Sequence, residues 1–446
     1  PEWFVGPLLK DLVMHEVGHT LGLRHNFKGS SIYTMAQINS EEHKGKKPIT
    51  GSVMDYNPVN INCGDGPVQG DYSMISIGTY DYWAIEYGYT SGDLKPVLAR
   101  VSEPELAYGT DEDVSGVDPR IKQFDMGSNP LDYADSTMKL VQSLRGKILE
   151  RIVKDGDSWQ RARDAYLLLL SRHIGAVRIA GQHLGGADLV RDRKGDPGNR
   201  TPITPTDVAI QRRALKFILE NAFRDEAFGL SRALLEKMTV DKWFDEGGLR
   251  TLNEDPAWPI HDRILGVQSS ALTALLNPVT LQRVFDNEVR LDPAADALTL
   301  PELIDSVTKE IFSELDNLRG SSARQPAISS LRRNLQREFL ERMIDLTLPD
   351  AGFSAAYKPI SNLVVQRLRD LRDQIDKVKN QGDPYTRAHL NEASLRITKA
   401  LEAQFIYNTN MIGGGGLPMF LFGQPVGAAP VGQQPNQMPV QAPVTP

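Results

Sequence analysis

Cysteine is nearly missing from this chain: Cys63 stands alone in 446 residues. One thiol excludes an internal disulfide, a zinc ribbon and a paired-cysteine redox centre, and says little about compartment. Charge of one sign is missing too. Fifty Lys+Arg against 57 Asp+Glu leave a formal net charge of -7, a field too weak to gather nucleic acid or an anionic membrane surface. No nucleic-acid partner is expected. Nor is there a run of about eighteen uncharged apolar residues, so no membrane span is expected. The densest stretch, AYLLLLSRHIGAVRIAG from Ala165 to Gly181, is interrupted by Arg172, His173 and Arg178 and suits a buried helix better. No signal peptide is visible ahead of the first helix, which starts almost at Pro1. A chain this long exceeds one hydrophobic core, and two or three domains are expected.

Histidine is scarce as well, yet it is concentrated. Of eight histidines, three fall in DLVMHEVGHTLGLRHNF, from Asp11 to Phe27. The pattern predicts a helix over 7–22, with Pro7 at its first position and Leu8, Leu9, Leu12 and Val13 beginning an apolar stripe. Residues four apart share a helix face, so His15 and His19 can hold one Zn2+ between them at about 2.0–2.1 Å each. Glu16 follows the first ligand but is rotated off it, where its carboxylate reaches a water rather than the metal. That is the position of a general base. Gly22 tolerates the positive φ needed to end the helix and turn the chain back, and His25 then supplies a third nitrogen. Three protein ligands leave one position open, the pattern of a catalytic zinc and not of a closed structural one.

HEVGHTLGLRH matches HExxHxxGxxH, the zinc signature of the metzincin metalloproteases. Downstream, SVMDYNP from Ser52 to Pro58 resembles the Met-turn of those enzymes. The resemblance makes Met54 the methionine beneath the zinc, shaping the floor without ligating. It places Tyr56 where astacin-like and serralysin-like members carry a tyrosine that reaches the metal or the developing oxyanion. GTYDYWAIEYGY, from Gly78 to Tyr89, resembles the helix that closes the metzincin C-terminal subdomain, with Asp81 near its start, where the helix dipole favours a carboxylate. The run as a whole is most similar to large bacterial zinc-dependent metalloproteases of the Met-zincin type. Asn26, after the third histidine, is not the residue typical of the astacin, matrixin or serralysin groups.

The resemblance implies a mainly α fold: a metzincin-like C-terminal catalytic subdomain over residues 1–90, followed by a multi-helix domain. It also implies an upstream sheet subdomain, for which the fourteen residues before His15 are expected to be too few. Residues 91–135 read as an irregular connector, 136–412 as a helical domain, and 413–446, uncharged and rich in Gly, Pro and Gln, as a disordered tail. Helices are expected from Ser136, Ser158, Thr206, Leu300, Ile328, Ser361 and Asp383. His43, amid Glu41, Glu42, Lys44, Lys46 and Lys47, reads as solvated, and Cys63 as a loop thiol with no metal role. His173, His183, His261 and His389 read as core or surface histidines. SLRRNLQREFLERM reads as a solvated helix face.

The function implied is zinc-dependent hydrolysis of peptide bonds in a protein or peptide substrate, with one catalytic Zn2+ and an exported location. Two rivals stand beside it. One is a non-catalytic helical interaction module with a vestigial zinc site, opposed by the retained Glu16. The other is a hydrolase of a non-peptide substrate, opposed by the Met-turn. Oligomeric state is not legible in the sequence.

Overall fold

The structure, a computed structural model, describes residues 1–242, 254–348 and 351–410, and the tail expected over 413–446 lies outside the described residues. The chain divides into two units, Pro1–Glu402 and Ala403 onward; of the second only the end of a helix is described. The described residues are mostly helical. In order come α1 (Glu2–Thr20), α2 (Met35–Ile38), α3 (Thr79–Tyr89), α4 (Lys95–Leu98), α5 (Pro130–Arg145) and α6 (Gln160–Gly181). An antiparallel pair follows, β1 (Ala187–Leu189) and β2 (Ile203–Pro205), with Ala187 opposite Pro205. Then come α7 (Val208–Ala222), α8 (Arg232–Leu235), α9 (Ile260–Leu276), α10 (Pro278–Arg290), α11 (Leu300–Ile311), α12 (Ser330–Asp345), α13 (Lys358–Val378) and α14 (Pro384–Asn410).

The helices start where a short polar side chain can accept from the first free backbone N–H groups. Asn129, Asp207, Asn277, Thr299 and Ser329 each do so ahead of α5, α7, α10, α11 and α12. Pro130, Pro278 and Pro301 fall in first turns, where a missing N–H costs nothing. Boundaries shift accordingly from those expected: α5 begins at Asn129–Pro130 and not at Ser136, and α13 begins at Lys358, ahead of Ser361. The stretch Ile260–Arg290, whose helices were not anticipated, is long and apolar enough to cross a membrane. Yet Asn277–Pro278 breaks it into two helices, and α9 buries Ile264, Val267, Ala271, Leu272 and Leu275 in the protein.

Two of the three apolar clusters belong to the helical region. The larger joins α5–α7 with α9–α14, and includes Leu303, Leu335, Phe339, Leu368 and Leu390. The third, smaller cluster lies under the histidine-rich segment: Met35, Ile38, Ile49, Val53, Met54, Met74 and Met126.

Three expectations need correction here. Helix α1 starts at Glu2, so Pro7 lies inside it and not at its start. Most of its apolar stripe does not face a core: Leu9, Leu12 and Val13 are 56%, 55% and 59% exposed, as is most of Trp3, while Met14 packs against the cluster around Met54. The helix fully buries only His15 and Gly18, so contacts at those two residues, rather than a broad amphipathic face, fix its position. In SLRRNLQREFLERM, Arg332 is not solvated. It is 6% exposed, pairs with Glu314, and donates to the carbonyls of Phe223, Glu310 and Ile311. Those carbonyls lie at the ends of α7 and α11, so one guanidinium satisfies helix ends that would otherwise be orphaned. Replacing Arg332 with Ala leaves Glu314 uncompensated and should cost about 3–5 kcal/mol; a thermal unfolding midpoint within a degree of the parent's would contradict this role.

Candidate metal centre

Helix α1 carries His15 and His19 one turn apart and then ends at once. The Gly22 N–H donates to the His19 carbonyl (3.0 Å) and the Leu23 N–H to the Gly18 carbonyl (3.0 Å), the paired bonds of a Schellman cap. Gly22 holds φ at +87°, a conformation that L side chains with a Cβ seldom adopt. The turn also orients a ligand, because the Leu23 carbonyl accepts from His19 Nδ1 (2.9 Å).

The same device recurs at all three rings. His15 Nδ1 donates to the Val53 carbonyl (2.7 Å) and His25 Nδ1 to the Asp111 carboxylate (2.9 Å). Carbonyls and carboxylates only accept, so each Nδ1 must carry the proton, and in the neutral rings each Nε2 is a bare lone pair. The Nε2 atoms of His15 and His19 nevertheless stand 3.1 Å apart, and nitrogens of all three rings lie within 4.8 Å of one another. Without a proton to share, such a pair repels. A cation between them turns the contact favourable, and two nitrogens at about 2.0–2.1 Å from a tetrahedral ion sit close to this separation. The donor set therefore fits Zn2+, each ring being oriented from behind by a carbonyl or a carboxylate, as metal-bound histidines usually are. Burial, helped by the neighbouring His19 and His25, pushes the His15 pKa down, which favours the neutral, ligating form. The charge of Glu16 acts the other way.

Beneath the rings lies Met54, fully buried. A Cβ on Gly18 would meet its sulfur at 2.3 Å, so the helix approaches the Met54 turn as closely as glycine allows. The Met54 carbonyl accepts from the Asn26 N–H (2.9 Å), joining the turn to the segment that carries His25. The turn is clamped from below by Asp81, 1% exposed, near the start of α3. Its carboxylate accepts from the Ser52 hydroxyl (2.6 Å), the Val53 N–H (2.8 Å) and the Gly78 N–H (2.8 Å). Val53 thus receives Asp81 on its nitrogen and His15 on its oxygen. The Tyr56 ring stands beside the centre, 4.8 Å from the His25 ring and 5.5 Å from that of His15 by centroids. Glu16 is exposed, next to His15 on α1.

All eight residues singled out from sequence, His15, Glu16, His19, Gly22, His25, Met54, Tyr56 and Asp81, lie in or directly under this region. Among the described residues the three histidines form the one such potential ligand group. His43 must be corrected. It is 4% exposed, packed edge-on to Tyr33 and bonded to the Pro48 carbonyl; its charged neighbours point outward and hid a buried ring. It is still no ligand. Cys63 is part-buried in its loop, and His173 and His183 are interior, bonded to the Asn221 and Ile179 carbonyls.

Sequence reasoning missed Gly18, Val53, Asp111 and the carboxyl pair Asp55 and Asp125. Gly18 had a signal, a glycine one residue before the second histidine; Asp111 had none. Asp55 and Asp125 both bind Ser30, one through its N–H (2.9 Å) and one through its hydroxyl (3.2 Å). Asp55 Oδ1 and Asp125 Oδ2 are buried without a partner among the described residues. Burial pushes both carboxyls up, Asp55 to about 8, and the neighbouring Asp55 charge adds to the rise at Asp125. The adjacent Phe124 takes φ +62° and donates its N–H to the Tyr56 carbonyl (3.0 Å).

Two outcomes follow from this packing. In Gly18→Ala the helix gains about 1 kcal/mol of propensity but overpacks Met54 by about 1–3 kcal/mol. Zinc affinity measured by competitive chelation should therefore fall in this variant, and unchanged affinity would show that the close approach is dispensable. A carboxyl whose folded pKa is raised keeps its full stabilising effect below the unfolded value near 4 and loses it as pH rises through the folded value near 8. Asp55→Asn keeps the Ser30 acceptor and removes that titration. Between pH 5 and 8 its unfolding midpoint should fall less than the parent's, and parallel curves would rule the pair out as the source.

No curated protein and no solved structure matches the chain. The Met-zincin family profile matches residues 1–318, a span that takes in the histidines, the Met54 turn, Asp81 and the helices through α11. A match over more than half its length, with the centre described above inside it, establishes that the chain belongs to the Met-zincin family, whose members are of the zinc metalloprotease type.

Proposed function

We propose that this protein is a zinc-dependent endopeptidase that hydrolyses peptide bonds in protein or peptide substrates. The observation that carries the reading is the set of three imidazoles whose Nδ1 protons are all committed outward and which together offer ligand nitrogens within 4.8 Å of one another, those of His15 and His19 only 3.1 Å apart. Three ligands, and not four, suit a site that keeps a coordination position for chemistry. A bound zinc supplies Lewis acidity there, lowering the pKa of water towards about 7 and polarising the scissile carbonyl.

The chain's own residues do the rest. Glu16, on the residue after the first ligand, takes the proton of the attacking water and passes it to the leaving amine nitrogen as the C–N bond breaks. The Tyr56 phenol, with its ring beside those of His15 and His25, donates to the carbonyl oxygen as negative charge develops on it. His25 is held for this work by Asp111, which Arg24 in turn approaches to 3.5 Å. Met54 and Asp81 act only by holding the floor in place. An exported location, expected from the resemblance, belongs to the same proposal.

Glu16→Gln should retain stoichiometric zinc while hydrolysis of a quenched fluorescent peptide library falls by about 10²–10⁴. Tyr56→Phe should lower kcat by about 10²–10³ with little change in KM. Full turnover in zinc-loaded Glu16→Gln would reject the mechanism, and an unchanged kcat in Tyr56→Phe would remove the tyrosine from it.

A further inference from the structure

A cavity of about 710 Å³ opens beside the turn that ends α1. The turn Leu21–Arg24 forms part of its wall, but none of His15, Glu16, His19, His25 or Tyr56 lines it. Its size and mixed lining are those of a small-ligand site, largely apolar with a few polar groups. Two ring pairs stand in the lining. Trp83 and Tyr87 are parallel within 6° at 5.7 Å, and Tyr80 and Tyr108 within 14° at 5.4 Å. Helix α3 supplies three of these rings, Tyr80, Trp83 and Tyr87, and the small residues Ala84 and Gly88 line the cavity beside them.

The polar side of the cavity is basic. Arg24, Lys28, Arg120, Arg191 and Arg200 line it, against Asp192 and Asp196 alone among acids. Most of the carboxylates that hold these cations, Glu112 for Arg24, Asp113 for Arg191 and Asp118 for Lys28 and Arg120, are not part of the lining. Arg200 is held within the lining by Asp192 (2.8 and 2.5 Å), whereas Arg24, Lys28, Arg120 and Arg191 are fixed by carboxylates behind the wall, so the surface turned to the cavity carries more cationic than anionic side chains. Arg191 also lies over the Tyr108 ring, 5.2 Å from its centroid, which joins the cationic and aromatic sides.

We propose that this cavity is a binding site, separate from the metal centre, for an aromatic carboxylate: a ring against the Trp83 and Tyr87 side of α3 with its anionic group toward Arg191. The same chemistry is offered by a free aromatic acid and by a peptide ending in an aromatic residue. The site does not depend on the proteolytic reading and can be tested without turnover.

The experiment titrates the full chain calorimetrically, with zinc and after zinc removal, using N-acetyl-L-tryptophan, its uncharged amide, and acetyl-Gly-Gly-Ala-Ser-Trp with a free carboxyl terminus. The acid should bind once per chain whether or not zinc is present, and the amide about tenfold more weakly or worse, as loss of a charge-assisted bond requires. Binding of the pentapeptide as well as the acid assigns the site to peptide ends; binding of the acid alone assigns it to free aromatic acids. Both outcomes support the site. A Cβ at Gly88 meets nothing within 4 Å, so Gly88→Phe can fill the space without a backbone clash. It should abolish binding with zinc content and unfolding midpoint intact, and Arg191→Gln should weaken the acid about tenfold but not the amide. Equal affinity for acid and amide, undiminished binding in Gly88→Phe, binding that needs zinc, or no saturable binding would each overturn the proposal.

Discussion

The Nε2 atoms of His15 and His19 are held 3.1 Å apart in this protein, with the His25 ring beside them and every Nδ1 committed to an acceptor elsewhere. That arrangement is unfavourable by itself, and it persists because each ring is fixed from the other side by a hydrogen bond worth about 0.5–1.5 kcal/mol net. The bonds to Val53, Leu23 and Asp111 decide the tautomers, the tautomers decide where the lone pairs point, and the lone pairs define the site. A cation with a taste for nitrogen removes the repulsion and couples metal binding to local order. Family membership names that cation as zinc.

The three orienting partners come from different parts of the chain. Leu23 lies in the cap of α1, Val53 in the Met54 turn, and Asp111 in the irregular stretch after α4, 86 residues beyond its histidine. Each is held in turn: Leu23 by the glycine turn, Val53 by Asp81, Asp111 by proximity to Arg24. A small apolar cluster of methionines and isoleucines lies beneath, while the much larger helical cores lie elsewhere in the chain. The region around the histidines is thus built less by hydrophobic burial than by hydrogen bonds with defined direction, which suits a centre whose geometry matters more than its bulk.

The parts of the centre that depend on local spacing were legible in the sequence. His15 and His19 at i, i+4, Gly22 at a helix end and His25 beyond it follow from helix geometry and the left-handed tolerance of glycine. Met54, Tyr56 and Asp81 were reached through resemblance, and the structure puts them beside or beneath the rings. What escaped was non-local. Nothing near Asp111 in the sequence announces that it will meet His25, and the same holds for Asp55 and Asp125 at Ser30. The stretch 91–135 looked like a connector because its Pro and Gly suppress regular structure, yet its Asp111, Asp118, Phe124 and Asp125 bond to the histidine-bearing segment before it. His43 and Arg332 were misjudged for one reason: charged neighbours in sequence say which residues are polar, not which of them turn inward. The α1 stripe failed in the opposite sense, its leucines and valines lying exposed where periodicity suggested burial.

The central claim is that three imidazole Nε2 atoms share one zinc and leave a position open. X-ray absorption at the zinc edge of the purified, folded chain tests it most directly. The account predicts one zinc per chain with three nitrogen neighbours at about 2.0–2.1 Å and one light-atom ligand exchangeable with solvent. A preparation that keeps its fold but binds no zinc, or a zinc shell containing sulfur or four protein ligands, would contradict it.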